Sequence, residues 1–133
     1  MVAVVTLGVV GVAVAPAVAD DPCGANSPVA IGDFIMWDSV EGGPANVPVS
    51  ARIPCRVART ITFRTVDITA KAGRDYIGVT SGSFVLPAGK TSTTVTIQVL
   101  GYSVAQPPQT FGVDLLGGAF FADHEGIVTI EKP

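Results

Sequence analysis

The stretch TITFRTV, residues 60–66, decides the fold class of this chain. Ile61 and Phe63 alternate with Thr60, Thr62 and Arg64, and a period of two is that of a strand with one buried face. β-branched and aromatic side chains favour such a pleated backbone. The stretch therefore predicts a half-buried strand.

The alternation recurs along the chain. Strands are predicted at 94–99 and 111–115, and further ones at 31–37, 46–53, 81–86 and 126–131. The clusters EGGP, KAGRDY, PAGK, AQPPQ and ADHEG separate them as turns. This spacing predicts an all-β, seven-stranded antiparallel immunoglobulin-like sandwich. Its predicted core contains Ile61, Phe63, Val95, Ile97, Phe111 and Val113, and Pro48 and Pro54 predict an edge or bulged position for the strand at 46–53.

Composition limits the function classes. The 133 residues are 48% hydrophobic and 14% charged, enough to bury one core but not several domains. A net charge of -3 gives no basic footprint for DNA or RNA, so no nucleic acid partner is expected. One histidine and two cysteines are too few for a zinc ribbon or a histidine-rich metal site.

The first nineteen residues are predicted to be a signal peptide. They carry no charge and end in Ala17, Val18 and Ala19, an A-x-A cleavage pattern that precedes Asp20. The alternative is an uncleaved membrane anchor, and a membrane is expected as a partner only in that case. The predicted organisation is a signal peptide at 1–19, an N-terminal segment at 20–30 and a domain at 31–132. A secreted or cell-surface location follows.

Two cysteines are expected to form one disulfide. Cys23 and Cys55 are an even pair in an oxidising compartment, and their separation excludes a C-x-x-C redox motif. The bridge would join the N-terminal segment to the interior of the chain.

Two stretches point to a family. TVDITAKAGRDY at 65–76 and FVLPAGKTSTTVTIQVL at 84–100 resemble the most specific motifs of the Calx-beta domain. The resemblance extends over about 31–132. It implies a seven-stranded sandwich, found in sodium-calcium exchangers and in secreted or surface bacterial proteins, that in exchanger domains binds calcium at one end.

The resemblance implies a calcium site that this chain retains only in part. Glu41, Asp67 and Glu131 match acidic positions of the family, whereas GYSVAQPPQTF at 101–111 replaces its carboxylate-rich loop. Calcium needs six to eight oxygen ligands, so the site is expected to be degenerate. Asp75 is interpreted as a turn-stabilising aspartate. No cofactor is expected to be required, and weak calcium binding is the alternative.

No catalytic group is predicted. Ser103 lies in a near miss of the G-x-S-x-G elbow without the helix that the motif requires. His124, in ADHEG, is expected to be a polar hairpin tip whose neighbours point in different directions. We therefore predict a secreted or cell-surface, non-enzymatic binding or structural module whose partner is an unknown protein or surface polymer. The alternative is a calcium-binding regulatory or adhesion module.

Basic and aromatic side chains are the remaining features of the predicted surface and core. The basic residues of the middle third predict either a patch for an acidic polymer or a solvated face. Most aromatic side chains are expected in the core, and of the consecutive Phe120 and Phe121 one should face outward. The basic residues are Arg52, Arg56, Arg59, Arg64, Lys71 and Arg74.

Overall fold

A computed structural model describes residues 23–102 and 106–131, and these form a two-layered sandwich of nine strands after one short 3-10 helix, Gly24–Asn26. The predicted signal peptide lies outside the described residues. The strands are β1 Val29–Ile31, β2 Phe34–Trp37, β3 Gly43–Ala51, β4 Arg59–Asp67, β5 Gly82–Leu86, β6 Ser92–Val99, β7 Gln109–Gly117, β8 Phe121–Asp123 and β9 Glu125–Glu131.

The nine strands divide into two sheets. One has the order β2-β9-β7-β4-β5 and the other β6-β3-β1-β8. Most neighbours are antiparallel, but β2 runs parallel to β9 and β1 runs parallel to β8. The all-β sandwich is thus confirmed, with two strands more than the predicted seven and two parallel pairs.

The first predicted strand, 31–37, crosses from one sheet to the other. Its first part extends β1, whereas its second part is β2 of the opposite sheet. Two hydrogen bonds fix the crossing: the Gly32 amide donates to the Pro48 carbonyl over 2.8 Å, and the Ile127 amide donates to Oδ1 of Asp33 over 2.9 Å. A hydrophobic pattern does not show such a crossing, because both halves bury alternate residues in the same core.

The predicted edge position of the second strand was wrong. β3 lies between β6 and β1, and its pairing with β6 runs from Gly43 to Ser50 without a register shift. Pro48 is tolerated because its carbonyl faces Gly32, just beyond the last paired residue of β1. Its missing N–H therefore falls where the neighbouring strand ends.

The core lies between the sheets and contains all six predicted members. Ile61, Val95, Ile97, Phe111 and Val113 are no more than 1% exposed, and Phe63 is 7% exposed. Burying each such side chain contributes about 1.5–3 kcal/mol. Trp37 is an exception to the predicted aromatic core, because it lies on the outer face of β2 and is 71% exposed. Phe120 is exposed and Phe121 packs on the core, as predicted.

The predicted disulfide is present. Cys23 and Cys55 are bridged with their Cα atoms 5.8 Å apart. Ser27 supports the bridge, since its Oγ donates to the Ile53 carbonyl and accepts from the Ile53 amide. The guanidinium of Arg59, itself buried, donates to the Ser27 carbonyl over 2.8 Å. The N-terminal segment is thereby attached to the loop between β3 and β4.

Candidate functional site

Five carboxylates gather at one end of the sandwich, which we call the acidic end: Asp38, Glu41, Asp67, Asp75 and Glu131. The strand register places them there. Asp67 closes β4 opposite Phe111, and Glu131 closes β9 opposite Trp37. The turn after β2 carries Asp38 and Glu41, and the Leu100 amide donates to the Asp75 carbonyl. The three predicted ligands Glu41, Asp67 and Glu131 thus share one end.

Asp67 is engaged by the protein itself. Its Oδ1 accepts a hydrogen bond from the Tyr76 hydroxyl over 2.5 Å and another from the Ala72 amide over 2.9 Å. The Tyr76 hydrogen bond is the main cause that lowers the pKa of Asp67. Burial, and next the same hydrogen bond, raise the pKa of Tyr76 to about 12. The pair is therefore a carboxylate and a neutral phenol at neutral pH.

Asp75 also accepts hydrogen bonds from protein donors. Its Oδ2 accepts from the Lys71 amide over 2.8 Å, which confirms the predicted turn-stabilising role. The same oxygen accepts from Nε and Nη2 of Arg74 at 3.0 and 2.9 Å. Asp75 is 3% exposed, so its ionised form depends on such donors. The guanidinium supplies a positive charge at this carboxylate without any metal.

The remaining acids are arranged around a tight loop. Glu41 is exposed in the turn between β2 and β3, and Oδ1 of Asp38 accepts from the Ser39 amide over 2.7 Å. Gly101 allows the chain after β6 to pass this turn, because a Cβ there would lie 1.7 Å from the Val40 carbonyl oxygen. Within residues 23–102 and 106–131, Glu41, Asp67 and Glu131 do not form a group of ligand atoms lying within 4.8 Å of one another.

Two of the five carboxylates at the acidic end are engaged by protein donors, and the neighbouring segment adds no further acid. The segment between β6 and β7 provides Tyr102 and Gln106 but no acid, and β7 begins with Gln109. Asp67 and Asp75 already accept two and three protein hydrogen bonds. Calcium takes six to eight oxygen ligands from carboxylates, carbonyl groups and water. One oxygen at this end, Oε1 of Gln109, is buried and has no hydrogen-bond partner within the described residues.

A groove beside Asp67 contains one carboxylate, one phenol and two threonine hydroxyls. It is lined by Asp67, Tyr76, Thr65, Thr80 and small apolar residues. Tyr76 cannot act as a base near neutral pH because its pKa is raised to about 12. Ser103, in the near miss of the G-x-S-x-G elbow, lies outside the described residues.

Three of the six basic residues are buried or lie beside an acid of the domain. Arg59 is buried, Arg64 lies 3.4 Å from Asp114, and Arg74 lies 2.9 Å from Asp75. Arg52 follows β3 in one sheet, whereas Arg64 belongs to β4 in the other, so these two residues do not lie on neighbouring strands of one sheet.

Sequence reasoning missed a second group of side chains. Asp114 on β7, Glu125 at the start of β9 and His124 just before it have ligand atoms that all lie within 4.8 Å of one another. The expectation that His124 and its neighbours diverge was wrong, since His124 and Glu125 converge on Asp114. The antiparallel register of β7 and β9 brings these side chains together, because it pairs Glu125 with Asp114. That register cannot be read from ADHEG alone.

Comparison with known proteins decides the family. The Calx-beta domain model matches residues 40–131. The chain belongs to the Calx-beta domain family. Among curated proteins, this Calx-beta chain is similar to adhesion G-protein coupled receptor V1 of Danio rerio, with 37% identity over 76 residues, 53% of this chain. The chain spans about 1% of that receptor's length.

Solved structures agree with the fold. The CBD12 structure from CALX1.2 has a TM-score of 0.67 at 22% identity, covering 79% of this chain and 45% of that one. The calcium binding domain CBD12 of CALX1.1 gives the same TM-score and identity and covers 78% of this chain and 45% of that one. The apo-form Calx CBD1 domain has a TM-score of 0.62 at 21% identity and covers 79% of this chain and 97% of that one. At these identities the likeness concerns the fold.

Proposed function

We propose that this Calx-beta domain is a secreted or cell-surface, non-enzymatic binding or structural module that folds and works without calcium. The observation that carries the proposal is the state of the acidic end. The carboxylates of Asp67 and Asp75 accept hydrogen bonds from Tyr76, Ala72, Lys71 and Arg74. The membership itself supports a non-catalytic role.

Calcium would compete with protein hydrogen-bond donors for the carboxylates of Asp67 and Asp75. A calcium ion at Asp75 would have to displace or face the guanidinium of Arg74, which lies 2.9 Å from Oδ2. A calcium ion at Oδ1 of Asp67 would have to break a hydrogen bond to a phenol that is itself fully buried. Leaving a buried donor unsatisfied costs about 1–3 kcal/mol. These costs add to the shortage of ligands between β6 and β7.

Calorimetric titration with calcium tests the proposal. We expect no saturation below about 1 mM calcium, the range of weak extracellular sites. Asp67→Asn should abolish any residual heat, whereas Lys90→Gln, a charge change at an exposed turn between β5 and β6, should leave the titration unchanged. Saturation of the wild type at micromolar calcium would overturn the proposal.

The alternative is a calcium-binding regulatory or adhesion module. One observation favours it: the buried Oε1 of Gln109 is an amide oxygen of the type calcium accepts, at the end where Glu41 and Glu131 also lie. The resemblance to a receptor described as an adhesion receptor and to a domain described as calcium binding points the same way. Gln109→Leu separates the two functions, because it should weaken calcium binding only if Gln109 is a ligand.

Export is the second part of the proposal. The observation that supports export is the disulfide, a feature of oxidising compartments. As a separate finding, no helix among the described residues has the length and hydropathy of a membrane span. Mass spectrometry of protein from culture medium should give a mature chain that begins at Asp20. A chain that keeps residues 1–19 in the membrane fraction would contradict export by cleavage.

A partner is proposed to bind the outer face of β2. Ile35 and Trp37 on that strand are 65% and 71% exposed, and Val40 just beyond it is 73% exposed. Neighbouring exposed apolar side chains of this size are typical of interaction sites. The partner would be a protein or surface polymer. Capture from cell-surface extracts should be reduced by Trp37→Ser and unaffected by Ile53→Ser, which changes an exposed apolar residue beside the disulfide.

A further inference from the structure

We propose that Asp114, His124 and Glu125 bind one divalent transition-metal ion, with zinc as the best match. The three side chains come from β7, the turn before β9 and β9, and their ligand atoms all lie within 4.8 Å of one another. This group is distinct from the acidic end, because Glu125 and Glu131 are separated by six residues of β9, or about 20 Å along an extended strand.

The imidazole distinguishes this group from a cluster of carboxylates. Calcium and magnesium prefer oxygen ligands only, whereas imidazole nitrogen is a preferred ligand of zinc, nickel and copper. One nitrogen and two carboxylate oxygens make three protein ligands, and water completes a tetrahedral shell in many zinc sites. The ligand chemistry therefore favours a transition metal over calcium, the ion discussed for the acidic end.

The geometry requires only side-chain rotation. Tetrahedral ligands at the usual zinc distances lie about 3.3 Å from one another. The present separations of up to 4.8 Å must therefore shrink by about 1.5 Å at most. His124 and Glu125 are exposed and free to turn, while the backbone is fixed by the register of Glu125 with Asp114 and by the Leu115 amide donating to the His124 carbonyl over 2.7 Å.

Arg64 competes with the metal. Its Nη2 lies 3.4 Å from Oδ2 of Asp114, and its side chain is 53% exposed. An exposed ion pair of this kind contributes little to stability, and the long side chain can move into solvent. The guanidinium nevertheless repels a cation at Asp114. Removing it should strengthen metal binding, a gain that a damaged fold would not produce.

Zinc titration of the tag-free, chelator-treated chain tests the site. His124 is the one histidine of the sequence, so its imidazole NMR signals report the site without ambiguity. We expect these signals to shift and saturate at one zinc per chain. His124→Gln and Glu125→Gln should each weaken the zinc affinity by about tenfold or more, since losing even an outer partner of a ligand costs that much. Arg64→Gln should strengthen it.

Controls separate this site from the acidic end. Glu41→Gln removes one negative charge at the acidic end, as Glu125→Gln does at the proposed zinc site. It should leave the zinc affinity unchanged. Calcium at the same concentration should not shift the His124 signals. Unshifted imidazole signals up to about 1 mM zinc, or equal affinity in His124→Gln and the wild type, would overturn the zinc site. Neither result would bear on the calcium titration, so the two proposals fail independently.

Discussion

At the scale of single residues, the Tyr76–Asp67 hydrogen bond gives the sharpest prediction. Tyr76→Phe keeps the ring, stacked on Phe111 with centroids 3.9 Å apart, and removes the hydroxyl that donates to Asp67. The hydrogen bond joins a buried phenol to an exposed carboxylate, whose interaction is weakened by solvent screening. We therefore expect a small decrease in the unfolding free energy, measured by urea denaturation at neutral pH. Asp67→Asn measured alone and with Tyr76→Phe gives the coupling.

The same hydroxyl predicts an alkaline transition. Folding raises the pKa of Tyr76 from 10.0 to about 12, so the neutral phenol is the form that the fold favours. The stabilisation is complete below pH 10 and is lost as the pH rises through about 12. Melting temperatures of the wild type should fall more steeply over this interval than those of Tyr76→Phe. Parallel curves would show that Tyr76 ionises as it does in the unfolded chain.

Sequence patterns predicted the role of Asp75 but not the state of Asp67. A turn aspartate accepts local amides, and the Lys71 amide is four residues away. The phenol of Tyr76, nine residues from Asp67, reaches it only once β4 and the following turn are packed. Likewise Asp114 and His124 meet through strand pairing, so a local motif could not reveal them.

At the scale of elements, the disulfide predicts how the N-terminal segment is held. Cys23→Ser with Cys55→Ser opens a closure of 32 residues and should lower the unfolding free energy by roughly 2–4 kcal/mol. The sheets should survive, because the core side chains come from the strands. Circular dichroism and urea denaturation measure both effects. A loss of β-sheet signal at neutral pH would show that the bridge is needed for folding itself.

The strands show where a period-two pattern is sufficient and where it is not. β4 and β6 were predicted because each buries alternate residues, and β7 because Phe111, Val113 and Leu115 are buried along it. The split of 31–37 and the strand β8 were missed. β8 has three residues with one partly buried, too short a run for alternation to be visible. Its place beside β1 depends on a parallel pairing between distant segments.

At the scale of the whole molecule, one apolar cluster joins both sheets. Strands of each sheet contribute to it, from Val29 of β1 to Ile130 of β9. The cluster extends to the acidic end, where Tyr76 and Val99 are fully buried beneath the carboxylates. Buried side chains therefore close the sandwich at the acidic end, where the resemblance to the Calx-beta family implies a calcium site.

This continuity predicts that a chelator leaves the melting temperature unchanged. A ligand stabilises the fold by an amount set by its concentration relative to its Kd. For a Kd of about 1 mM, adding 1 mM calcium contributes about 0.4 kcal/mol, or about 2–3 °C in a domain of this size. For a Kd of about 1 µM, the same calcium concentration would contribute about 4 kcal/mol, or about 20 °C. Melting curves with chelator and with calcium distinguish these cases. A shift of the larger size, or unfolding in the chelator, would mean that oxygens such as Oε1 of Gln109 and backbone carbonyls supply the ligands that the segment between β6 and β7 lacks as acids.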